Sequence, residues 1–215
     1  MVKIAGFSLL FVILTGCSSS PGPSSLPALP TEEQASLPSN PTSGDLPSTD
    51  QVDAVLSEAQ ISYYEITGST ADQLRAQMTA LGPTDPYDND LHVDAYSDWF
   101  ISWNWPGYGS TNCDLSSPSV SYELTLVLPN WILPSNADPV LVTKWNDYLS
   151  ALKAHEAGHL ENIINNYQSV ITAIKTATCS TADAAASTAL EALRQFDSTY
   201  DAETHHGATQ GAVFP

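Results

Sequence analysis

An α+β fold is what this sequence predicts, and three observations predict it. Residues 61–67, 99–105 and 120–128 are rich in β-branched and aromatic side chains or alternate with a period of two, as half-buried strands do. Residues 139–177 keep apolar side chains at three- and four-residue steps, the period of a long helix. A second helical pattern follows at Ala186, Leu190, Leu193 and Phe196. Strand, helix, two strands and two helices is the order of a small antiparallel or mixed sheet packed against a long helix and a second, C-terminal helix.

Met1-Val2-Lys3 supplies a short positive region, and residues 4–14 form an apolar run too short for a stable bilayer span. Residues 1–16 are expected to be a signal peptide. It ends in Leu14-Thr15-Gly16-Cys17, which resembles the lipobox of bacterial lipoproteins, where the cysteine is acylated and becomes the new N-terminus. Cys17 is the expected lipidation site, and Ser18 after it points away from inner-membrane retention in a two-membrane host. The expected location is the outer membrane or periplasmic face, or the extracellular cell surface, with the membrane reached only through the N-terminal lipid. Residues 17–50 are rich in Ser and Pro without aromatic residues, too polar to bury a core, and are expected to be a disordered tether. Residues 51–215 then make one domain.

Within that domain the first strand, 61–67, stops at Gly68. Ser69-Thr70-Ala71-Asp72 resembles a capping box and starts a short helix with Leu74, Met78 and Leu81 at helical spacing, closed by Gly82-Pro83. Residues 84–94 form a loop in which His92 is an exposed loop residue. Trp99, Ile101, Trp103 and Trp105 share one face of the second strand, where the indoles pack the core or line a substrate groove. A Gly- and Ser-rich connection over 106–118 carries Cys113. Tyr122, Leu124, Leu126 and Leu128 share a face of the third strand, which Pro129 is expected to stop. Asp138-Pro139 is a helix start, Asp as cap and Pro in the first turn, and the helix is expected to run to about Ala177. Ser180-Thr181-Ala182-Asp183 caps the last helix, which is expected to end by about Tyr200.

Twenty-four acidic against six basic residues give a formal net charge of −18, a surface that repels nucleic acid and anionic lipid. Of the three cysteines, Cys17 is assigned to lipid. Cys113 and Cys179 remain, and an even pair in an exported protein is most simply a disulfide. Neither has a ligand-spaced partner, which disfavours mixed Cys/His zinc ligation.

The long helical pattern carries His155-Glu156-Ala157-Gly158-His159. Residues four apart on a helix share a face, so His155 and His159 can converge on one ion. Such pairs bind zinc, and Glu156 is placed to take a proton from water beside the ion without binding the ion itself. Gly158 costs about 1 kcal/mol relative to Ala in mid-helix. Close approach of another backbone or of substrate would give a reason for it.

The pieces together resemble an uncharacterised bacterial family described as predicted secreted zinc-dependent proteases, with a zincin-like core. The resemblance covers roughly residues 61–215. It rests on Tyr64 and Gly68, Leu74 with Gly82-Pro83, Trp99 with Ser102-Trp103, Cys113, Leu128-Pro129 with Trp131, and Trp145. It continues through His155-Glu156 with Gly158-His159, Cys179, Tyr200-Asp201 with Thr204, His206-Gly207 and Gln210-Gly211. It implies a metallopeptidase-type site with one zinc ion per chain.

The extended metzincin layout needs Gly at 162 and His at 165, where this chain has Asn162 and Asn165, so the third ligand must come from farther along. His206 is the expected third ligand, because it matches the family's His-Gly element and Gly207 lets the backbone bend there. Asp201 is the alternative ligand, or a carboxylate that orients a ligand histidine. Tyr200 and His205 are candidates for stabilising an oxyanion. The function expected is an exported, lipid-anchored zinc metallopeptidase acting on a peptide or protein substrate, with Glu156 as general base. The alternative is a non-catalytic envelope lipoprotein that keeps the scaffold as a binding or assembly module.

Overall fold

The computed structural model describes residues 3–4, 47–85 and 91–215. The rest of the expected leader, Cys17, the tether as far as residue 46 and the middle of the 84–94 loop lie outside the described residues. The architecture is mixed α+β. In chain order the elements are β1 (Lys3–Ile4), α1 (Thr49–Leu56), β2 (Gln60–Ile66), α2 (Ala71–Leu81), β3 (Tyr96–Asn104), β4 (Ser119–Trp131), α3 (Pro139–Asn166), α4 (Gln168–Thr176) and α5 (Ala182–Thr204), followed by a 3-10 turn at Ala208–Gln210.

The sheet is mixed, in the order β1-β3-β4-β2. β2 lies parallel to β4, with Ile61 opposite Leu126, and β3 lies antiparallel to β4, with Ser102 opposite Ser121. The two-residue β1 pairs with the outer edge of β3 at Ser102 and Trp103. Pro129 does not stop β4, which continues to Trp131. The β3–β4 pairing ends at Val127, so beyond that point β4 has an open side where a missing N–H costs no ladder bond.

Ile101 and Trp103 from β3, Leu124, Leu126 and Leu128 from β4, and Trp145, Leu152, Leu160 and Ile163 from α3 are buried in one core. Each such side chain contributes about 2 kcal/mol through burial. Trp99 departs from the expected stripe. It is only half-buried and turns its indole N–H to α5.

One helix was not anticipated. Ser48 caps α1, accepting from Gln51 N–H at 3.4 Å while the Gln51 side chain accepts from Ser48 N–H at 2.9 Å, and Val52 and Leu56 are buried beneath it. The Asp138 side chain accepts from Val140 N–H at 2.9 Å and starts α3 as expected. The helix does not run unbroken to Ala177. A turn at Tyr167 separates α3 from α4, after two asparagines of low helix propensity and where the Tyr167 ring packs edge-on against Tyr122 of β4, 4.9 Å between centroids.

α5 runs one turn past the expected end, to Thr204, where His205 closes it in a left-handed conformation with φ 51°. A Cys113–Cys179 disulfide, with Cα atoms 5.6 Å apart, ties the β3–β4 connection to the segment before α5. It suits an oxidising compartment. No helix among the described residues is long and apolar enough to cross a membrane.

Candidate metal centre

α3 and α5 pack antiparallel: His155 meets Asp201, His159 meets Asp197 and Asn162 meets Leu193. Two pairs at four-residue spacing thereby face each other, His155/His159 on one helix and Asp197/Asp201 on the other. Register alone brings the four groups together.

His155 Nε2 lies 3.2 Å and His159 Nε2 3.1 Å from the same oxygen, Asp201 Oδ1. The three ligand atoms lie within 4.8 Å of one another. At zinc–ligand distances of about 2.0–2.1 Å, the corners of a tetrahedron stand about 3.3–3.4 Å apart. Two of the observed separations are close to edges of such a tetrahedron, so this group could hold a metal ion. Both histidines are less than a tenth exposed.

The remaining ring nitrogens are engaged on the far sides. His159 Nδ1 lies 3.3 Å from Asp197 Oδ1, and the other Asp197 oxygen accepts from the Trp99 indole N–H at 2.8 Å. Asn162 Nδ2 donates to the Leu193 carbonyl at 3.2 Å and toward Asp197 at 3.5 Å. His155 Nδ1 lies 3.0 Å from Gln210 Oε1. Burial alone would lower the His159 pKa, but hydrogen bonds to Asp197 and Asp201 outweigh it and push it up to about 10. Burial likewise works to raise Asp201, and the hydrogen bonds from His155 and His159 override it, holding the carboxyl well below the usual range.

Glu156 is 6% exposed and has no hydrogen-bond partner among the described residues. Its charge is felt by both His159 and Tyr200. Tyr200 stacks on His155, with centroids 5.1 Å apart and planes 11° apart, and meets His159 edge-on. Burial raises its phenol pKa, opposed by the Gln210 hydrogen bond.

His206 is placed differently from the sequence expectation. Its side chain is 83% exposed, its Nδ1 stands 3.7 Å from Asp201 Oδ1, and it is not among the three residues whose ligand atoms converge. The 205–206 backbone is left-handed at both residues, with φ 51° and 52°, which turns the chain away just after Asp201. His205 is exposed and forms no hydrogen bond with the cluster among the described residues. Gly207 does pack against the site, since a Cβ there would come within 2.8 Å of His155 Cγ.

Two groups escaped the sequence reading as parts of the site, Asp197 and Gln210. The four-residue spacing of Asp197 and Asp201 was a usable signal, the mirror of the histidine spacing. For Gln210 the signal was its place in the Gln210-Gly211 element of the resemblance, which gave it no role.

The model of the family described as bacterial protein of unknown function (DUF922) matches residues 61–207. The chain belongs to that family. No curated protein and no solved structure matches it. In this DUF922 chain the matched stretch holds His155, Glu156, His159, Asp197 and Asp201, while Gln210 lies just beyond it.

Proposed function

We propose that this DUF922 chain is an exported, lipid-anchored zinc-dependent metallopeptidase with a zincin-like site. The observation that carries the reading is the convergence of His155 Nε2 and His159 Nε2 on Asp201 Oδ1, at 3.2 and 3.1 Å, beside Glu156, which is 6% exposed and has no hydrogen-bond partner among the described residues. Zinc held by these three residues supplies Lewis-acid polarisation of a carbonyl and a lowered pKa for water. Glu156 takes the proton of the attacking water and hands it to the leaving amine. The Tyr200 hydroxyl, above the motif helix, donates to the carbonyl oxygen as charge develops there. A purely structural ion needs no unpaired carboxylate beside it, which favours hydrolysis over a binding module.

Glu156→Gln is the test. Metal content is expected to stay at one zinc per chain while cleavage of a mixed peptide library falls by about 10²–10⁴-fold, the usual worth of a general base. Equal turnover by the variant removes Glu156 from the chemistry. A zinc-loaded wild-type chain that cleaves nothing leaves the binding-module reading. The anchor is tested separately: Cys17→Ser is expected to move the protein from the detergent phase to the aqueous phase.

A further inference from the structure

The segment after α5 reaches the site from outside the two helices. It leaves Thr204, turns through Gly207 (φ 79°), makes the Ala208–Gln210 turn, turns again at Gly211 (φ 95°) and ends in an aromatic box. There Phe214 is buried, its ring 5.4 Å from Trp145 and 5.1 Å from Tyr148, and its carbonyl accepts from Arg75 at 3.3 Å. Both ends of the strap are therefore pinned, at His155 by Gly207 and in the core by Phe214. Between them Gln210 is presented to the ring of His155.

The Gln210 amide contacts two groups at once. Its Nε2 donates to the Tyr200 hydroxyl at 2.9 Å, the shorter of two contacts with that hydroxyl, which also stands 3.4 Å from Oε1, and Oε1 lies 3.0 Å from His155 Nδ1. An oxygen there accepts a proton and cannot donate one, so Nδ1 must carry the hydrogen. With a metal in place, an imidazole that keeps its hydrogen at Nδ1 offers the ion its Nε2 lone pair, at the atom that faces Asp201 Oδ1. The opposite amide orientation would donate to Nδ1 and leave an N–H at Nε2, pointing at Asp201 and unable to bind an ion.

From this we propose that Gln210 is a positioning residue: oriented by Tyr200 and carried by the pinned strap, it fixes His155 as the Nδ1–H tautomer and aims its Nε2 lone pair at the metal position. The inference rests on the metal-site reading above, though not on peptide cleavage. His159 is set in the same way by Asp197 from within α5, so each histidine is aimed by a different part of the chain.

The test uses the full-length chain, zinc-free and zinc-loaded. Nitrogen-edited NMR of the zinc-loaded chain is expected to show an exchange-protected His155 Nδ1–H. Gln210→Met, similar in length but without an acceptor, is expected to lose that protection and to bind zinc about 10–100-fold more weakly. Gln210→Glu keeps an acceptor and is expected to keep both properties. Tyr200→Phe, which frees the amide to turn over, is expected to weaken both and decides the matter if Gln210→Met does not fold. Unchanged Nδ1–H protection in Gln210→Met, or in Tyr200→Phe when it stands in, overturns the proposal. So does a Gln210→Glu variant as weak as Gln210→Met, because the strap would then act by packing alone. The zinc-loaded spectrum reads the tautomer even if the chain cleaves no peptide, so failure here and failure of the peptidase reading are told apart.

Discussion

Tyr200 fills the space that a side chain on Gly158 would need: a Cβ at that position would lie 2.6 Å from Tyr200 Cζ. The glycine inside the motif helix is thus explained by an aromatic ring, where another backbone or substrate was anticipated. The bare helix surface lets Tyr200 stack flat on His155 and reach Gln210 with its hydroxyl.

Gly158→Ala therefore sets two effects against each other. Alanine gains about 1 kcal/mol of helix propensity, and overpacking against Tyr200 costs about 1–3 kcal/mol. A net loss of up to about 2 kcal/mol is expected in denaturant unfolding, together with weaker zinc binding because the Tyr200–Gln210 pair is displaced. A variant more stable than wild type with unchanged zinc affinity would show that Tyr200 moves aside freely.

Asp201 and His206 compete for the role of third ligand. Asp201→Ala is expected to lower zinc affinity by more than about 100-fold, beyond the usual cost of losing an outer partner. His206→Ala is expected to stay within a few-fold of wild type. Competition titration with a chelator reads both, and the reverse ranking would return the role to His206.

Zinc uptake should release protons. Without metal, His159 has a pKa of about 10 against an ordinary value of 6.5. Its contribution to stability is fully present below about 6.5 and is lost as pH rises through about 10. Zinc must displace that proton, so near pH 7.5 about one proton per zinc is expected from His159. Calorimetry in buffers of different ionisation enthalpy measures it, and a heat independent of buffer would contradict the charged His159.

Reducing the Cys113–Cys179 bridge opens a loop of 66 residues' separation, a change of about 4 kcal/mol on chain-entropy reasoning. The melting temperature is expected to fall on reduction while zinc affinity holds, since the bridge sits at the start of α5 and Asp201 near its end. Two free thiols in the unreduced protein, seen by mass spectrometry, would remove the bridge.

The sequence by itself determined what local chemistry determines. Asp138-Pro139 started α3, Thr70 and Gly82 bounded α2, and the alternation of Leu124, Leu126 and Leu128 set the buried face of β4. The four-residue spacing of His155 and His159 put two imidazoles on one helix face. These signals act within one or two turns of chain, where side-chain period and capping leave few alternatives. Tertiary structure decided which carboxylate oxygen meets the two imidazoles. The antiparallel register of α5 on α3 brings Asp201 between the two Nε2 atoms, and the left-handed pair His205–His206 carries the next histidine outward. Pro129 inside a strand and Gln210 behind His155 belong to the same class. Each depends on which neighbour is absent or present across tens of residues of sequence. Spacing along the chain does not encode such contacts; helix packing and strand pairing do.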